Sequence, residues 1–273
     1  MARAAIAAGI SVTAATRDPG TASPPPGAVV VSFANAGQAL ADATHVLATA
    51  PPDAGGDPVL AAHAAAIAAA RALRWVGYLS TTGVYGDRGG GWVDEATPVA
   101  PSSERSRRRV LAEQAWTAFD NRVAVDIFRL AGIYGPGRSP FADLRAGRAR
   151  RVLKPGHAFA RIHRDDLVQA LMAAMRQNPP PGLRIFNLAD DAPAENAEVV
   201  AEAARLLGLA PPPATPYAEA APGMSEMARS FWAENRKVSS ERTKAGLGIA
   251  WRYPSYREGL RAILAEEAGN GPP

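Results

Sequence analysis

The residues that most readily suggest chemistry are three adjacent hydroxyls, Ser80, Thr81 and Thr82, which follow an apolar run from Trp75 to Leu79. Five apolar or small residues are too few for a buried helix, and their aromatic and branched side chains favour a strand buried on both faces. Ligands of open α/β sheets bind just beyond the carboxyl ends of such strands. The hydroxyls are therefore placed to contact a ligand, unless they only cap backbone groups of a turn.

Short apolar runs that alternate with Ala-rich segments surround this stretch and would have to position it. The pattern is typical of a Rossmann-like α/β fold, a doubly wound parallel sheet with helices on both faces. It predicts strands over 10–15, 28–33, 45–50, 75–79, 123–128 and 183–188, and helices over 2–8, 35–43, 57–73, 110–119, 167–175 and 196–207.

The composition bounds the classes of protein to consider. The chain has 273 residues, is 47% apolar and carries a formal charge of +4, so it can bury a sizeable core and is mildly basic. That charge favours small anions over nucleic acid as partners. With no cysteine, disulfides and thiolate metal sites are excluded, and the isolated His63 suggests no metal site. No segment resembles a membrane span or a signal peptide, which predicts a soluble cytoplasmic protein.

Two further motifs carry a resemblance to a known family. The sequence STTGVYG begins at Ser80, and RLAGIYGPG runs from Arg129 to Gly137, with a Pro-Ser-Ser segment at Pro101 between them. Together they resemble the extended short-chain dehydrogenase/reductase family of NAD(P)-dependent sugar epimerases and dehydratases. The resemblance implies a Rossmann-like domain over 1–180, and over 181–273 the last sheet strand plus a small C-terminal substrate lobe.

In that family a strand and a glycine-rich phosphate loop precede the helix that matches 2–8 here. They would fall upstream of Met1, so the resemblance predicts that the first strand and the loop are missing from this chain. Either the start has been assigned to an internal Met or the chain is a truncated product, or else the chain is complete and has lost pyrophosphate binding. Loss of a central strand would leave its neighbours unpaired, which favours a misassigned start or a truncated product.

The resemblance also implies a set of cofactor-binding positions. Arg17, at the exit of the second family strand, would accommodate the 2′-phosphate of NADP, whereas the adjacent Asp18 would suit the ribose of NAD. We expect NADP, with NAD as the alternative. Small residues at another strand exit would pack against the cofactor, and two apolar residues in the Arg129–Gly137 turn would pack on the nicotinamide. The full set is Thr16, Arg17, Ala48, Thr49, Ala50, Ser80, Leu130 and Ile133.

The catalytic positions depart from the family pattern. The family carries Tyr-x-x-x-Lys in the helix after the Gly-rich loop, and these positions fall on Arg105 and Arg109. A guanidinium stays protonated near neutral pH, so it cannot replace the tyrosine as a proton shuttle. Thr81 matches the residue that hydrogen-bonds the substrate oxygen. Tyr85 is the nearest phenol in sequence and a candidate acid, although in the family this tyrosine mostly supports structure.

Other charged segments allow more than one interpretation. The basic stretch 141–154 is either a solvated face or a site for an anionic substrate, and it lacks the aromatics expected of a nucleic-acid patch. Asp165 or Asp166 is an N-cap candidate for the next helix, while His163 is a weaker candidate for the site. The resemblance implies a small-molecule substrate, no membrane partner and an option for homodimers.

These observations predict an NAD(P)-dependent oxidoreductase or epimerase that acts on a sugar-like or nucleotide-linked hydroxyl with a non-standard active site. Two alternatives remain open at this point. The chain could be a sensor or scaffold that binds NADP without turnover, or a truncated inactive homologue. The replacement of the Tyr-Lys pair by Arg105 and Arg109 supports the sensor or scaffold.

Overall fold

The computed structural model describes residues 1–269, in which short strands and helices alternate along the chain. The strands are β1 Val12–Thr16, β2 Ala28–Ser32, β3 His45–Ala48, β4 Trp75–Thr81, β5 Trp92–Val93, β6 Ala124–Leu130, β7 Gly132–Tyr134, β8 Arg151–Leu153, β9 Arg161–His163, β10 Gly182–Leu188, β11 Ala214–Pro216 and β12 Lys237–Val238. The α-helices are α1 Ala2–Ala7, α2 Ala36–Leu40, α3 Pro58–Ala69, α4 Glu104–Thr117, α5 Phe141–Arg145, α6 Arg164–Arg176, α7 Asn196–Leu206, α8 Tyr217–Ala220, α9 Glu226–Ala233, α10 Glu241–Leu247 and α11 Tyr256–Glu267.

The main sheet has four parallel strands in the order β10-β6-β4-β3, and β1 and β2 form a separate parallel pair. Neighbouring strands in a parallel sheet need crossover connections, which helices such as α3 and α4 supply here. The predicted Rossmann-like α/β fold is confirmed. Within residues 1–269, no helix combines the length and the apolar character that crossing a bilayer would require.

Contacts divide the chain into two compact units that are built from alternating segments. The first unit comprises Met1–Ser80, Arg107–Phe128 and Val168–Phe186, and the second comprises Thr81–Ser106, Arg129–Leu167 and the chain from Asn187 onward. These units are defined by contacts and do not test the predicted domains over 1–180 and 181–273. That division stays a prediction. Residues 270–273 of the predicted second domain lie outside the described range.

The first unit has an aromatic core that fixes strand β4. Trp75 at the start of the strand is 1% exposed, and its ring lies across Gly77, where a Cβ atom would come within 2.3 Å of the Trp75 ring. Only a glycine leaves room for this ring. The indole Nε1 of Trp75 donates to the Asp126 carboxylate at 2.6 Å, and Arg184 donates to the same carboxylate at 2.7 Å from Nε. A buried charge is thus paired and hydrogen-bonded inside the sheet.

The residue that caps helix α3 also makes a tertiary contact within the first unit. Asp57 caps the helix, because its Oδ1 accepts from the backbone N–H groups of Val59 and Leu60, and Pro58 fills the first helical position. The second carboxylate oxygen of Asp57 accepts from the indole of Trp116 in α4. The cap therefore also ties α3 to the aromatic core that supports β4.

The second unit packs α7 and α11 around a core of Tyr134, Phe141, Val200 and Ile263. Two-stranded parallel pairs surround this core: β7 with β9, β8 with β11, and β5 with β12. The turn expected at 129–137 therefore contains the short strand β7. These strands are two or three residues long, which is too short for an alternating apolar pattern to be detected in the sequence.

The N-cap expected at the start of α6 was wrong. The helix begins at Arg164, which places Asp165 and Asp166 in its first turn. The buried Asp166 instead accepts two backbone N–H groups from another segment, those of Arg252 at 2.7 Å and Tyr253 at 3.0 Å. Its carboxylate holds the approach to α11 in place, a contact that local sequence does not reveal.

Candidate functional site

The hydroxyl of Thr81 lies at the carboxyl end of β4, where the sequence predicted it. Thr81 is the N-cap of a 3₁₀ turn over Thr82–Tyr85, and its Oγ1 accepts from the backbone N–H of Gly83 at 3.1 Å. The capping alternative is therefore realised in the structure. A hydroxyl that accepts one bond still carries a proton that it can donate, so Thr81 can cap the turn and also donate to a ligand oxygen.

The neighbouring Ser80 and Thr82 are buried in the protein interior. Ser80 is 4% exposed, and its Oγ donates to Glu113 Oε1 at 2.5 Å within the first unit. Thr82 is also buried, in the 3₁₀ turn. The predicted contact of Ser80 with a cofactor stays a prediction, but in this structure the Ser80 proton is directed to a carboxylate of α4.

Tyr85 lies in the interior of the second unit with no exposed surface. Its hydroxyl donates to Asn187 Oδ1 at 2.8 Å and accepts from Arg129 Nη1 at 3.0 Å. Burial raises the pKa of the phenol, and the nearby Arg129 guanidinium partly opposes this shift. Both bonding directions of the phenol are occupied by protein groups, an arrangement that favours the supporting role over that of a catalytic acid.

The residue that holds Tyr85 belongs to a buried polar network that sequence reasoning missed. The backbone N–H of Asn187 donates to Thr243 Oγ1 at 2.8 Å and to Glu95 Oε1 at 3.1 Å, and Thr243 donates to the same Glu95 oxygen. The Asn187 amide donates to the carbonyl of Ser239. The acidic pair at 94–95 was the only local signal, and it did not indicate a partner.

The guanidinium of Arg109, which is predicted to stand at the family's lysine position, is bonded to strand β4. Arg109 Nη1 donates to the Leu79 carbonyl at 2.7 Å and to the Tyr78 hydroxyl at 3.0 Å. Tyr78 is fully buried, and burial raises its pKa to about 12 although Arg109 acts in the opposite direction. Tyr78 is thus a second phenol that sequence reasoning treated only as core. It remains protonated at neutral pH and is enclosed within the first unit.

Arg105, which is predicted to stand at the family's tyrosine position, is exposed in the second unit. Its guanidinium lies over the ring of Phe231 in α9, 5.0 Å from the ring centroid. A cation over an aromatic face gains electrostatic attraction without giving up its charge. The contact gives Arg105 a structural role and offers no group that could exchange a proton with a substrate.

Arg17 and Asp18 are both exposed at the exit of β1, next to the partly buried Thr16. One oxygen of the Asp18 carboxylate accepts from the backbone N–H of Gly20 at 3.1 Å, and the other remains able to accept. The preference for NADP over NAD stays a prediction.

The other predicted cofactor positions are small or apolar groups near strand ends. Ala48 is 2% exposed, Thr49 is exposed and Ala50 is partly buried where β3 ends in the first unit. Leu130 and Ile133 are partly buried in the second unit. Apart from Thr49, which is exposed and carries a hydroxyl, these side chains are apolar, and their predicted role is one of packing.

His163 is enclosed between two tyrosines of the second unit. It is 1% exposed, and its ring centroid lies 5.2 Å from that of Tyr134 and 4.2 Å from that of Tyr253. Its Nδ1 accepts from the backbone N–H of Asp165, and burial lowers the imidazole pKa to about 4. His163 is therefore neutral and structural, rather than a proton donor at neutral pH.

The basic segment 141–154 spreads its charges over separate partners. Arg145 pairs with Glu267 at 2.7 Å, and Arg148 pairs with Asp143 at 3.2 Å. Arg151 donates to the Ala197 carbonyl, and Lys154 donates to the carbonyl of Trp232. These contacts favour the solvated-face interpretation over a common anion site in this segment.

The whole chain is similar to one solved bacterial protein. The structure of a functionally unknown conserved protein from Silicibacter pomeroyi DSS is 46% identical to this chain, with a TM-score of 0.88, over 97% of this chain and 94% of that one. The chain belongs to the same family as that protein. No protein-family model matches the chain.

More distant structures show the fold of this family. MoeE5 in complex with UDP-glucuronic acid and NAD is 20% identical, with a TM-score of 0.73, over 98% of this chain and 94% of MoeE5. The human epimerase family protein SDR39U1 with NADPH is 18% identical, also with a TM-score of 0.73, over 96% and 93% of the two chains. The fold is that of the NAD-dependent epimerases and dehydratases, and the resemblance carried by the strand-end motifs is confirmed.

Curated relatives match over a shorter segment. Protein YeeZ of Escherichia coli (strain K12) is 38% identical over 141 residues, which is 50% of this chain and 47% of YeeZ. The chain thus spans about half the length of the curated relatives it matches.

Proposed function

We propose that the protein is an NAD(P)-dependent oxidoreductase or epimerase that acts on a sugar-like or nucleotide-linked hydroxyl. The observation that carries the proposal is the position of Thr81. Its hydroxyl ends a central parallel strand, where this fold places reacting groups, and its proton remains available to donate. Complexes of fold neighbours with NAD, NADPH and a UDP-sugar acid support the proposal.

NADP fits the residues at the exit of β1 better than NAD does. Arg17 and Asp18 are both exposed, and one oxygen of the Asp18 carboxylate accepts from the Gly20 N–H. Arg17 would hold the 2′-phosphate, and the small Ala48 and Ala50 would allow the cofactor to approach the backbone. When bound, the nicotinamide would accept a hydride from the substrate and could return it.

The chain's own residues could orient the substrate, but the candidate side chains offer no group that would accept its proton. Thr81 would donate to the substrate oxygen and fix the carbinol carbon. Arg105 and Arg109 keep their protons, and the Tyr85 phenol is occupied on both sides. The active site would therefore be non-standard, with a proton acceptor other than the family's Tyr-Lys pair.

A second candidate function is a sensor or scaffold that binds NADP without turnover. It is favoured by the contacts of Arg109, which spends its Nη1 donors on the Leu79 carbonyl and the Tyr78 hydroxyl. Cofactor binding does not need a proton shuttle, so this function requires only the exposed strand ends. An inactive truncated homologue is a third candidate, in which neither binding nor turnover would be found.

Binding is tested first, by titrating the protein with NADPH and NADH while following nicotinamide fluorescence and thermal unfolding. A ligand at a hundred times its Kd adds about 2.7 kcal/mol to the free energy of unfolding. Arg17→Glu should weaken NADPH binding by about tenfold or more and leave NADH unchanged, because a charged contact to the phosphate is lost. Arg71→Glu, which makes the same charge change at an exposed position, is the matched control. Equal NADPH binding by both variants would contradict the role given to Arg17.

Turnover is tested with a panel of sugars and nucleotide sugars, using Thr81→Val and Thr81→Ser as a pair. Valine removes the hydroxyl that would orient the substrate, and we expect kcat/KM to fall by about a hundredfold. Serine keeps the donor and the cap, so it should retain most of the activity. Cofactor binding without turnover of any carbinol would favour the sensor, and turnover that survives in Thr81→Val would remove Thr81 from the mechanism.

A further inference from the structure

The second unit contains a cavity that none of the candidate catalytic side chains lines. Its volume is about 150 Å³. One part of its wall is apolar, formed by Val199, Val200 and Leu260, and another is polar, formed by Tyr134, Arg161 and Asn196. The two valines and the leucine lie on α7 and α11, helices of the unit's core, so the apolar wall is part of a packed and fixed structure.

Arg161 presents an unused hydrogen-bonding edge. Its Nη1 donates to two backbone carbonyls, those of Phe159 at 2.8 Å and Ala194 at 3.1 Å. A guanidinium has five N–H donors, and these two bonds use both hydrogens of Nη1. In the described part of the chain, neither Nε nor Nη2 has an acceptor, and no carboxylate lies within ion-pair distance of Arg161. The Nε/Nη2 edge is the fork that matches a carboxylate with two parallel bonds.

The charge of Arg161 lacks a compensating anion. Burial lowers the pKa of its guanidinium, and Asp190 is the acid that most strongly opposes this shift. The Asp190 carboxyl is itself buried, with no partner for Oδ2, and burial raises its pKa to about 8. At neutral pH this carboxyl is mostly protonated, so it leaves the positive charge beside the cavity unneutralised. Arg161 is partly buried, and a bound anion would compensate its charge.

We propose that this cavity binds a small organic monocarboxylate of about the size of benzoate. The carboxylate would accept from Nε and Nη2 of Arg161, and the apolar body would pack against Val199, Val200 and Leu260. A protein cavity of about 150 Å³ can hold a benzene ring, which sets the size. The apolar wall favours an organic acid over an inorganic anion, and the volume is too small for a nucleotide.

The ligand class is tested by isothermal titration and ligand-observed NMR at pH 7, with benzoate, benzamide and acetate as probes. Benzoate should bind at least about tenfold more tightly than benzamide, because loss of a charged hydrogen bond costs about that factor or more. It should also bind more tightly than acetate, which lacks the ring. Equal affinities for benzoate and benzamide would overturn the role of the charge, and equal affinities for benzoate and acetate would overturn that of the apolar wall.

Two variants locate the site. Arg161→Gln removes the fork and should reduce benzoate affinity by about tenfold or more. This change also removes the bonds to Phe159 and Ala194, so Val199→Phe, which fills the cavity and leaves Arg161 in place, provides a second test. Val199→Phe should abolish benzoate binding while the protein stays folded by circular dichroism. Arg148→Gln, at an exposed ion pair of the same unit, is the control and should bind as the parent does. Benzoate binding that survives in folded Val199→Phe would overturn the proposal.

Discussion

Asp190 should make the stability of the protein depend on pH in an unusual direction. The side chain is 1% exposed and accepts one bond, from the backbone N–H of Ala192 at 3.3 Å. Burial raises its pKa from 3.8 to about 8, with Arg161 opposing. Between these values the folded protein holds a proton that the unfolded chain releases. The free energy of unfolding therefore falls as pH rises, by about 1.4 kcal/mol per pH unit from this group.

His163 acts in the opposite direction over part of this range. Burial lowers its pKa from 6.5 to about 4, so the unfolded chain binds the extra proton and stability rises as pH rises between these values. The contributions of His163 and Asp190 nearly cancel below about pH 6.5. Between about pH 6.5 and 8 the contribution of Asp190 remains, and it amounts to about 2 kcal/mol over that interval.

The test compares Asp190→Asn with the parent by urea unfolding at half-unit steps from pH 6.5 to 8. The variant should lose the downward slope, and any constant cost of the amide cancels because only the slopes are compared. Asp143→Asn, at an exposed carboxylate of the same unit that pairs with Arg148, should keep the parent's slope. If the curves of parent and Asp190→Asn run parallel, Asp190 titrates near its ordinary value and the reasoning is refuted.

Two further predictions concern the first unit. Asp126→Asn should lower the free energy of unfolding by about 3–5 kcal/mol, because it breaks a buried ion pair with Arg184 and disturbs the bond from Trp75, and a loss below about 1 kcal/mol in urea would contradict this. Gly77→Ala should cost about 1–3 kcal/mol, because its Cβ would lie 2.3 Å from the Trp75 ring, whereas Gly20→Ala meets only an ordinary contact at 3.5 Å. Similar denaturation midpoints for the two alanine variants would refute the steric argument.

The sequence predicted secondary-structure elements correctly where a single apolar run determines whether a strand forms. The strand from Trp75 was recognised because its residues are buried on both faces, and it extends to Thr81 in the structure. The pair of Trp92–Val93 with Lys237–Val238 was not predictable in the same way. Two-residue strands carry no period, and their partners are far apart in the chain, so only tertiary packing creates them.

The candidate site was predictable in its residue types but not in their partners. The sequence placed Arg109 at the lysine position, yet nothing local indicated that its guanidinium would bond to Leu79 and Tyr78. The inward phenol of Tyr78 has the pattern of an ordinary core residue. Tyr85 likewise finds its acceptor in Asn187, 102 residues further along the chain. Motifs identify the strand ends, while hydrogen-bond partners depend on the assembled fold.

In the proposed site, arginines would stand at the positions of the family's Tyr-Lys pair, so binding and turnover would depend on different groups. A lysine carries a compact ammonium that can turn towards a ribose and lower the pKa of a neighbouring phenol, whereas the planar fork of Arg109 is fixed on a strand carbonyl. Arg105 retains a positive charge beside Phe231 but has no proton to exchange near neutral pH. Cofactor binding requires neither group to titrate, while oxidation of a hydroxyl requires a proton acceptor. An enzyme and a sensor built on these residues would therefore bind NADPH alike. They would differ only in whether a base accepts the proton of the carbinol.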